Sequence, residues 1–223
     1  MVLYHRGLTA PAVTVALFIA TTSPLIAQET GSQPFEFRGA RLGMAIDEFA
    51  ALPALSGARL SEFNEHGKKI RENLLTRCAP SKDKVNAQIG VIECSRAGDN
   101  PFTPQQYRYV YTSIGYKFGP DASGIKRLFS ILIITDRENG SEAISGLRSK
   151  WGNGLIETST VTNGFGMPLP KTLEAWKKPD GTIEFESPCG NVTTICITYS
   201  ETRLIAALAT QRGAVTGGSA SRF

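Results

Sequence analysis

Hydrophobic positions in this chain recur with two different periods, and the points where the period changes mark out its elements. Phe35-Glu36-Phe37-Arg38 alternates apolar and polar residues, which predicts a half-buried strand. Leu42, Ile46, Phe49 and Leu52 then recur at helical spacing, so they share one face of a helix that Pro53 ends. Residues 57–77 are highly charged with little periodicity and read as a loop with room for one helical turn. Strand character returns at Ile89-Gly90-Val91-Ile92-Glu93-Cys94. In residues 106–118, Tyr107, Tyr109 and Tyr111 fall on one parity and Ile114, Tyr116 and Phe118 on the other. That switch predicts a β-bulge near Thr112-Ser113, because one inserted residue moves the following side chains to the opposite face. Residues 125–135 are almost continuously apolar, as a central strand covered on both sides would be.

The second half repeats the theme. Asn139 is placed to cap a helix, with Glu142 three residues on to complete a capping box. Ile144, Leu147 and Trp151 form its apolar face, and Gly152 is positioned to stop it. Residues 155–162, 172–177, 182–186, 194–199 and 203–208 read as strands, the second and third joined by a turn at Pro179-Asp180-Gly181. Residues 211–223, rich in Gly, Ser and Ala, read as a disordered tail. Antiparallel strands introduced twice by a short helix define an α+β fold, with helices packed on one face of the sheet. The strand order leaves open whether two tandem helix-plus-strands modules, residues 28–136 and 137–210, share one sheet. Trp151 and Trp176 are expected in the core of the second module.

Residues 1–27 stand apart. Arg6 gives a positively charged start, Ala10 to Ala20 is apolar, and Ser23-Pro24 breaks the run before Leu25-Ile26-Ala27. This is the three-part pattern of a secretory signal peptide with cleavage after Ala27, and it is shorter than the roughly 20 apolar residues of a membrane span. No cysteine follows the cleavage point to carry a lipid, so the expectation is a soluble periplasmic or secreted protein without stable membrane insertion. The formal net charge of +4 is spread along the chain, with dense basic runs only at Lys68-Lys69-Ile70-Arg71 and Lys82-Asp83-Lys84. A nucleic-acid partner calls for a concentrated basic patch and is not expected.

An oxidising destination gives meaning to the four cysteines, Cys78, Cys94, Cys189 and Cys196. Of three possible connectivities, Cys78–Cys94 and Cys189–Cys196 are favoured, because each pair brackets a loop between neighbouring strands. Closing a loop of about 15 residues stabilises by roughly 3 kcal/mol in the chain-entropy model. Zinc-ligand spacings do not occur, and neither metal nor cofactor is expected.

Catalytic signals are sparse. His66 lies in a charged stretch with no nucleophile-elbow motif. Asp47-Glu48 and the pair Glu184 and Glu186 are the acids a two-carboxylate hydrolase would use. Tyr107, Tyr109 and Tyr111 project from one side of a strand. Such a ladder serves either packing or, since tyrosine is enriched at interfaces, a binding surface.

Residues Phe37 to Phe49 (FRGARLGMAIDEF), a strand, an aliphatic-Gly-Met turn and a short helix, resemble the opening of a class of small exported bacterial proteins. Leu147-Arg148-Ser149-Lys150-Trp151-Gly152, followed by Leu173-Glu174-Ala175-Trp176, resembles the second module of the same class. The resemblance is to β-lactamase-inhibitor-protein and SmpA/OmlA-like modules. It implies helices on an antiparallel sheet and a non-enzymatic role in the bacterial envelope, binding another exported protein or inhibiting an enzyme. The alternative is an envelope hydrolase using His66 or an acidic pair. Amino-terminal sequencing of the exported protein is expected to begin at Gln28; a membrane-embedded product retaining residue 1 would contradict this reading.

Overall fold

The computed structural model describes residues 33–53, 55, 61–63, 69–72, 76–97, 101–102 and 112–220. Strand β1 (Glu36–Phe37) and strand β2 (Ala40–Arg41) form a hairpin around Arg38-Gly39, and helix α1 (Ile46–Ala50) follows. Ala45 has no side-chain oxygen to cap α1, so only half of a capping box forms: the Glu48 carboxylate accepts from the Ala45 N–H at 3.1 Å. Between these elements, Gly43 donates to the Leu128 carbonyl at 2.8 Å and Leu128 donates to the Met44 carbonyl at 2.9 Å. The amino-terminal segment is thereby stitched to the main sheet.

Strands β3 (Ser61–Phe63) and β4 (Lys69–Glu72) pair with each other, within the stretch expected to be a loop. Strand β5 (Thr76–Pro80), helix α2 (Lys84–Gln88), strand β6 (Ile92–Arg96), strand β7 (Thr112–Pro120) and strand β8 (Lys126–Asp136) come next. Asp83 caps α2, accepting from the Asn86 N–H at 2.8 Å. A single 3-10 turn (Arg137–Asn139) leads into helix α3 (Gly140–Trp151). Strands β9 (Leu155–Thr162), β10 (Pro168–Lys178), β11 (Gly181–Ser187) and β12 (Thr194–Glu201) complete the sheet, and helix α4 (Thr202–Ala220) ends the description.

The sheet is one continuous antiparallel layer in the order β5-β6-β7-β8-β12-β11-β10-β9. Each half is a four-stranded meander, and the last strands of the two meanders meet at the centre. The two expected modules therefore share one sheet. The expected strand at residues 125–135 is its central β8, and the α+β class holds.

On one face lie α1 and α3. Phe49 of α1 sits 4.7 Å from Tyr116 and 5.2 Å from Phe118 (ring centroids). Ala143 and Leu147 of α3 join the same core as Ile133, Ile183, Phe185, Ile195 and Ile197. Arg96 is buried there and donates to the carbonyls of Arg38 (3.0 Å) and Pro53, holding both ends of the α1 segment against the sheet.

Several expectations change. The irregularity in β7–β8 pairing falls at Lys117/Phe118, where Phe118 faces Leu128 and Lys117 faces Ser130, leaving Phe129 as the extra residue. Thr112 and Ser113, where the bulge was expected, pair regularly with Thr135 and Ile134. The extra residue turns Phe129 toward the second face. Asn139 precedes α3 but does not cap it with its side chain, which is buried and donates to Thr135 Oγ1 at 2.8 Å. Gly152, at φ +77°, does terminate α3.

The largest change is at the carboxyl end. Residues 203–208 are helix rather than strand, and the expected tail is helical to Ala220. The run Leu204-Ile205-Ala206-Ala207-Leu208-Ala209 is rich in strong helix formers, and Glu201 accepts from the Leu204 N–H at the helix start. Gly119 leaves room for Leu208, whose Cδ1 would lie 2.6 Å from any Cβ there. Leu208 packs with Ile89 and Val91 in a second core, with Phe129 and Val215 against it. Since Gly119 follows Phe118 in β7, α4 lies on the face opposite α1. Arg212 completes the docking by donating to Asn86 of α2 at 3.0 Å.

Both cysteine pairs form as expected, Cys78–Cys94 across β5 and β6 and Cys189–Cys196 at the start of β12. Among the described residues, no helix is long and apolar enough to cross a membrane. Trp176 is buried in the core, whereas Trp151 is half-buried at its rim, edge-on to Phe35 at 4.9 Å. Trp176→Ala is expected to cost about 3–5 kcal/mol, and Trp151→Ala about half that in proportion to burial. Denaturant melts of the two variants test the order.

Candidate functional site

The outer part of the β9–β10 hairpin, residues 155–171, contributes no buried side chain to the core. Every residue of β9 from Leu155 to Thr160 is exposed, so neither face of this edge strand is covered. Leu155 is 67 % and Ile156 55 % exposed. Beyond Thr172, which pairs with Ser187 of β11, the strands continue alone: Lys171 pairs with Ser159, Pro170 with Thr160, Leu169 with Val161 and Pro168 with Thr162. The result is a two-stranded arm that overhangs the sheet.

Its tip is held by one side chain. Asn163 Oδ1 accepts from the Phe165 N–H at 3.0 Å and the Met167 N–H at 2.9 Å. The Asn163 N–H donates to the Met167 carbonyl, and the Gly166 N–H to the Asn163 carbonyl, both at 2.9 Å. Gly166 has φ +80°, which its missing Cβ permits. This turn presents Phe165 at 91 % exposure and Met167 at 56 %.

Beside the arm, a groove of about 490 Å³ runs to the loop before β12. Phe165, Val161, Pro188 and Val192 supply its apolar lining, and Lys171 pairs with Glu186 at 2.5 Å along it. The Cys189–Cys196 disulfide closes that loop, and Asn191 Oδ1 accepts from the Thr193 N–H (2.8 Å) and hydroxyl (2.7 Å). Both walls are thus stiffened by local bonds.

The base of the arm is anchored to α3. Glu174 of β10 is fully buried and accepts a forked pair from Arg148, Nε to Oε1 at 3.0 Å and Nη2 to Oε2 at 2.6 Å. Its Oε1 also accepts from the Gly154 N–H at 3.0 Å, just before β9. Trp176 donates to the Gly152 carbonyl at 2.8 Å. These bonds fix where β9 leaves the helix and hence where the arm points. The Arg148 guanidinium holds the Glu174 carboxyl below its ordinary range; burial opposes this and the Gly154 N–H assists.

Other expected site residues fall elsewhere. Tyr107, Tyr109, Tyr111 and His66 lie outside the described residues. Asp47 and Glu48 occupy the exposed first turn of α1, where Glu48 caps the helix; Glu184 is exposed and Glu186 is engaged by Lys171. Among the described residues, no group of three His, Cys, Asp or Glu side chains is placed to hold a metal ion. The arm was overlooked in the sequence, although Asn163-Gly164-Phe165-Gly166 between two strands signals a tight turn with an apolar residue at its tip. Comparison with protein-family models, curated proteins and solved structures returns no match.

Because Glu174 has a depressed folded pKa, its contribution to stability is present above the ordinary carboxylate value of 4.5 and is lost as pH falls through the folded value. Denaturant midpoints should therefore fall less steeply below pH 4.5 in Glu174→Gln than in the parent. Arg148→Ala, which strands a buried carboxylate, is expected to cost on the order of 2–3 kcal/mol at neutral pH. That is less than a fully buried pair, because Arg148 is 42 % exposed.

Proposed function

We propose that this chain is an exported, non-enzymatic module of the bacterial envelope that binds another exported or envelope protein, or inhibits an enzyme, through the β9–β10 arm. The observation that carries the reading is Phe165, almost wholly exposed yet held on a turn that Asn163 locks. A large apolar side chain in water gains free energy when a partner covers it, at roughly 25 cal/mol per Å² of apolar surface. A turn that is already ordered avoids much of the entropy cost of binding. Hot spots at protein interfaces combine these traits, an aromatic anchor on a stiff support with less critical contacts around it.

Export is supported by the amino-terminal pattern of residues 1–27 and by two cysteine pairs at bonding distance, which suit an oxidising compartment. A relation to the β-lactamase-inhibitor-protein and SmpA/OmlA-like modules is supported by two meanders, each with a helix on the same face, and by the Leu42-Gly43-Met44 turn that joins the first helix to the sheet.

The test is capture of partners from the native envelope by crosslinking to the purified protein, repeated with Phe165→Ala and Asn163→Ala. Phe165→Ala is expected to weaken capture by about 30-fold, the equivalent of a hot spot of roughly 2 kcal/mol. Its melting temperature should stay unchanged, since the side chain packs on little of its own molecule. Asn163→Ala, which frees the turn, is expected to weaken capture less. Undiminished capture by Phe165→Ala would remove the arm from the interface.

A further inference from the structure

A second site lies over the join between the two halves of the sheet, on the face that carries α1 and α3. There a cleft of about 370 Å³ opens between the β1 hairpin and α3. Its floor is Ile133 of β8 with Ile197 and Tyr199 of β12, and its walls include Phe37 and Trp151. Gly146 of α3 also borders it; Gly146 is exposed and a Cβ added there would meet no atom within 4 Å, so a larger side chain has room at this edge of the cleft.

Charged residues border the cleft (Glu36, Arg38, Glu142 and Lys150), and two neutral donors lie among its apolar residues. Tyr199 is 4 % exposed, and its hydroxyl has no hydrogen-bond partner among the described residues; burial alone raises its pKa above the ordinary range. It therefore stays protonated and remains a donor at any physiological pH. The Trp151 indole N–H, by contrast, is fully buried and has no hydrogen-bond partner among the described residues. Buried donors are normally satisfied, and an unsatisfied one costs about 1–3 kcal/mol in general. At the mouth, Lys150 Nζ lies 4.9 Å from the Trp151 ring centroid and 3.3 Å from the Glu36 carbonyl, linking α3 to β1 across the opening.

We propose that this cleft binds a flat, apolar or aromatic small molecule bearing a hydrogen-bond acceptor, which receives the Tyr199 hydroxyl. The volume lies within the range of about 300–1,000 Å³ typical of small-molecule sites. The chemistry of the site is apolar contact plus a few placed donors, the usual division between affinity and orientation. A hydrocarbon would fill the space but leave the hydroxyl unsatisfied. The charged residues of the lining, Glu36 and Glu142 against Arg38 and Lys150, are balanced in sign, so they favour no ionic ligand over a neutral one that avoids losing its hydration against Ile133, Ile197 and Phe37. The site is independent of the arm, and its ligand is distinct from a protein partner.

Coumarin, a neutral aromatic with a carbonyl acceptor, and naphthalene, of similar shape without one, are the probes. Binding to the purified protein is followed by tryptophan fluorescence and by chemical-shift mapping. The parent is expected to bind both saturably, coumarin more tightly. Tyr199→Phe should weaken coumarin about 2- to 10-fold, the net worth of one hydrogen bond, and leave naphthalene unchanged. It should not lower the melting temperature, because the hydroxyl it removes has no partner to lose. Gly146→Leu should fill the cleft and abolish both, with a melting temperature at or above that of the parent. The proposal is overturned if neither probe saturates, if Gly146→Leu leaves binding intact, or if Tyr199→Phe affects both probes equally.

Discussion

The pairing of β8 with β12 is the contact on which the rest of this structure depends. Each strand ends its own four-stranded meander, and their antiparallel register sets Ile131 against Tyr199, Ile133 against Ile197 and Thr135 against Ile195. All six side chains are buried on the same face. Without that ladder there would be two small sheets, each with one short helix and too little apolar area to bury. With it, one core runs from Phe118 through Ile133 and Ile197 to Phe185, and α1 and α3 each pack a buried side chain into it. The cleft floored by Ile133, Ile197 and Tyr199 exists because the helices of the two halves do not fully cover the seam.

Burial falls away from that seam in a way that geometry explains. Eight strands at about 4.8 Å spacing make a sheet roughly 34 Å across. Helix α3, at 1.5 Å per residue, is only about 18 Å long, and α1 is about 8 Å. Helix α4 is longer but crosses the second face from β12 toward β7 and α2, away from β9. The uncovered remainder is the β9 edge. The opposite edge, β5, is short, contains Pro80 and is crosslinked to β6 through Cys78–Cys94, all of which discourage a further strand from adding there. In β9, Glu157 is the one charge in Leu155–Thr162, and there is no proline. The two edges are built for different purposes.

Polar groups inside the core serve position rather than net stability. Arg96 reaches the carbonyls of Arg38 and Pro53, and Glu174 joins Arg148 to Gly154; each ties a segment distant in sequence to the sheet. Replacing such pairs with apolar residues often costs little, whereas removing one partner strands the other. In this fold they orient the two regions nominated for binding, the β1 hairpin that walls the cleft and the arm that carries Phe165.

What the residues determined alone is what depends on neighbours in sequence. The apolar face of α3 and its stop at Gly152, the strands β9 to β12 with the turn at Pro179-Asp180, and the pairing of cysteines across short loops all follow from local spacing. So did the α+β class, because helix and strand periods alternate in the order an antiparallel layer requires. Tertiary structure decided the rest. Residues 203–208 carry apolar side chains that suit strand or helix, and docking of Leu208 against Gly119 favours the helix. Phe129 bulges because Phe118 must face Leu128 while Phe129 reaches the second core. The single sheet, the open cleft and the exposed arm arise from contacts between residues far apart in the chain, such as Ile133 with Ile197. A local pattern can state that a strand has an apolar face, but only the assembled sheet determines which faces are left uncovered.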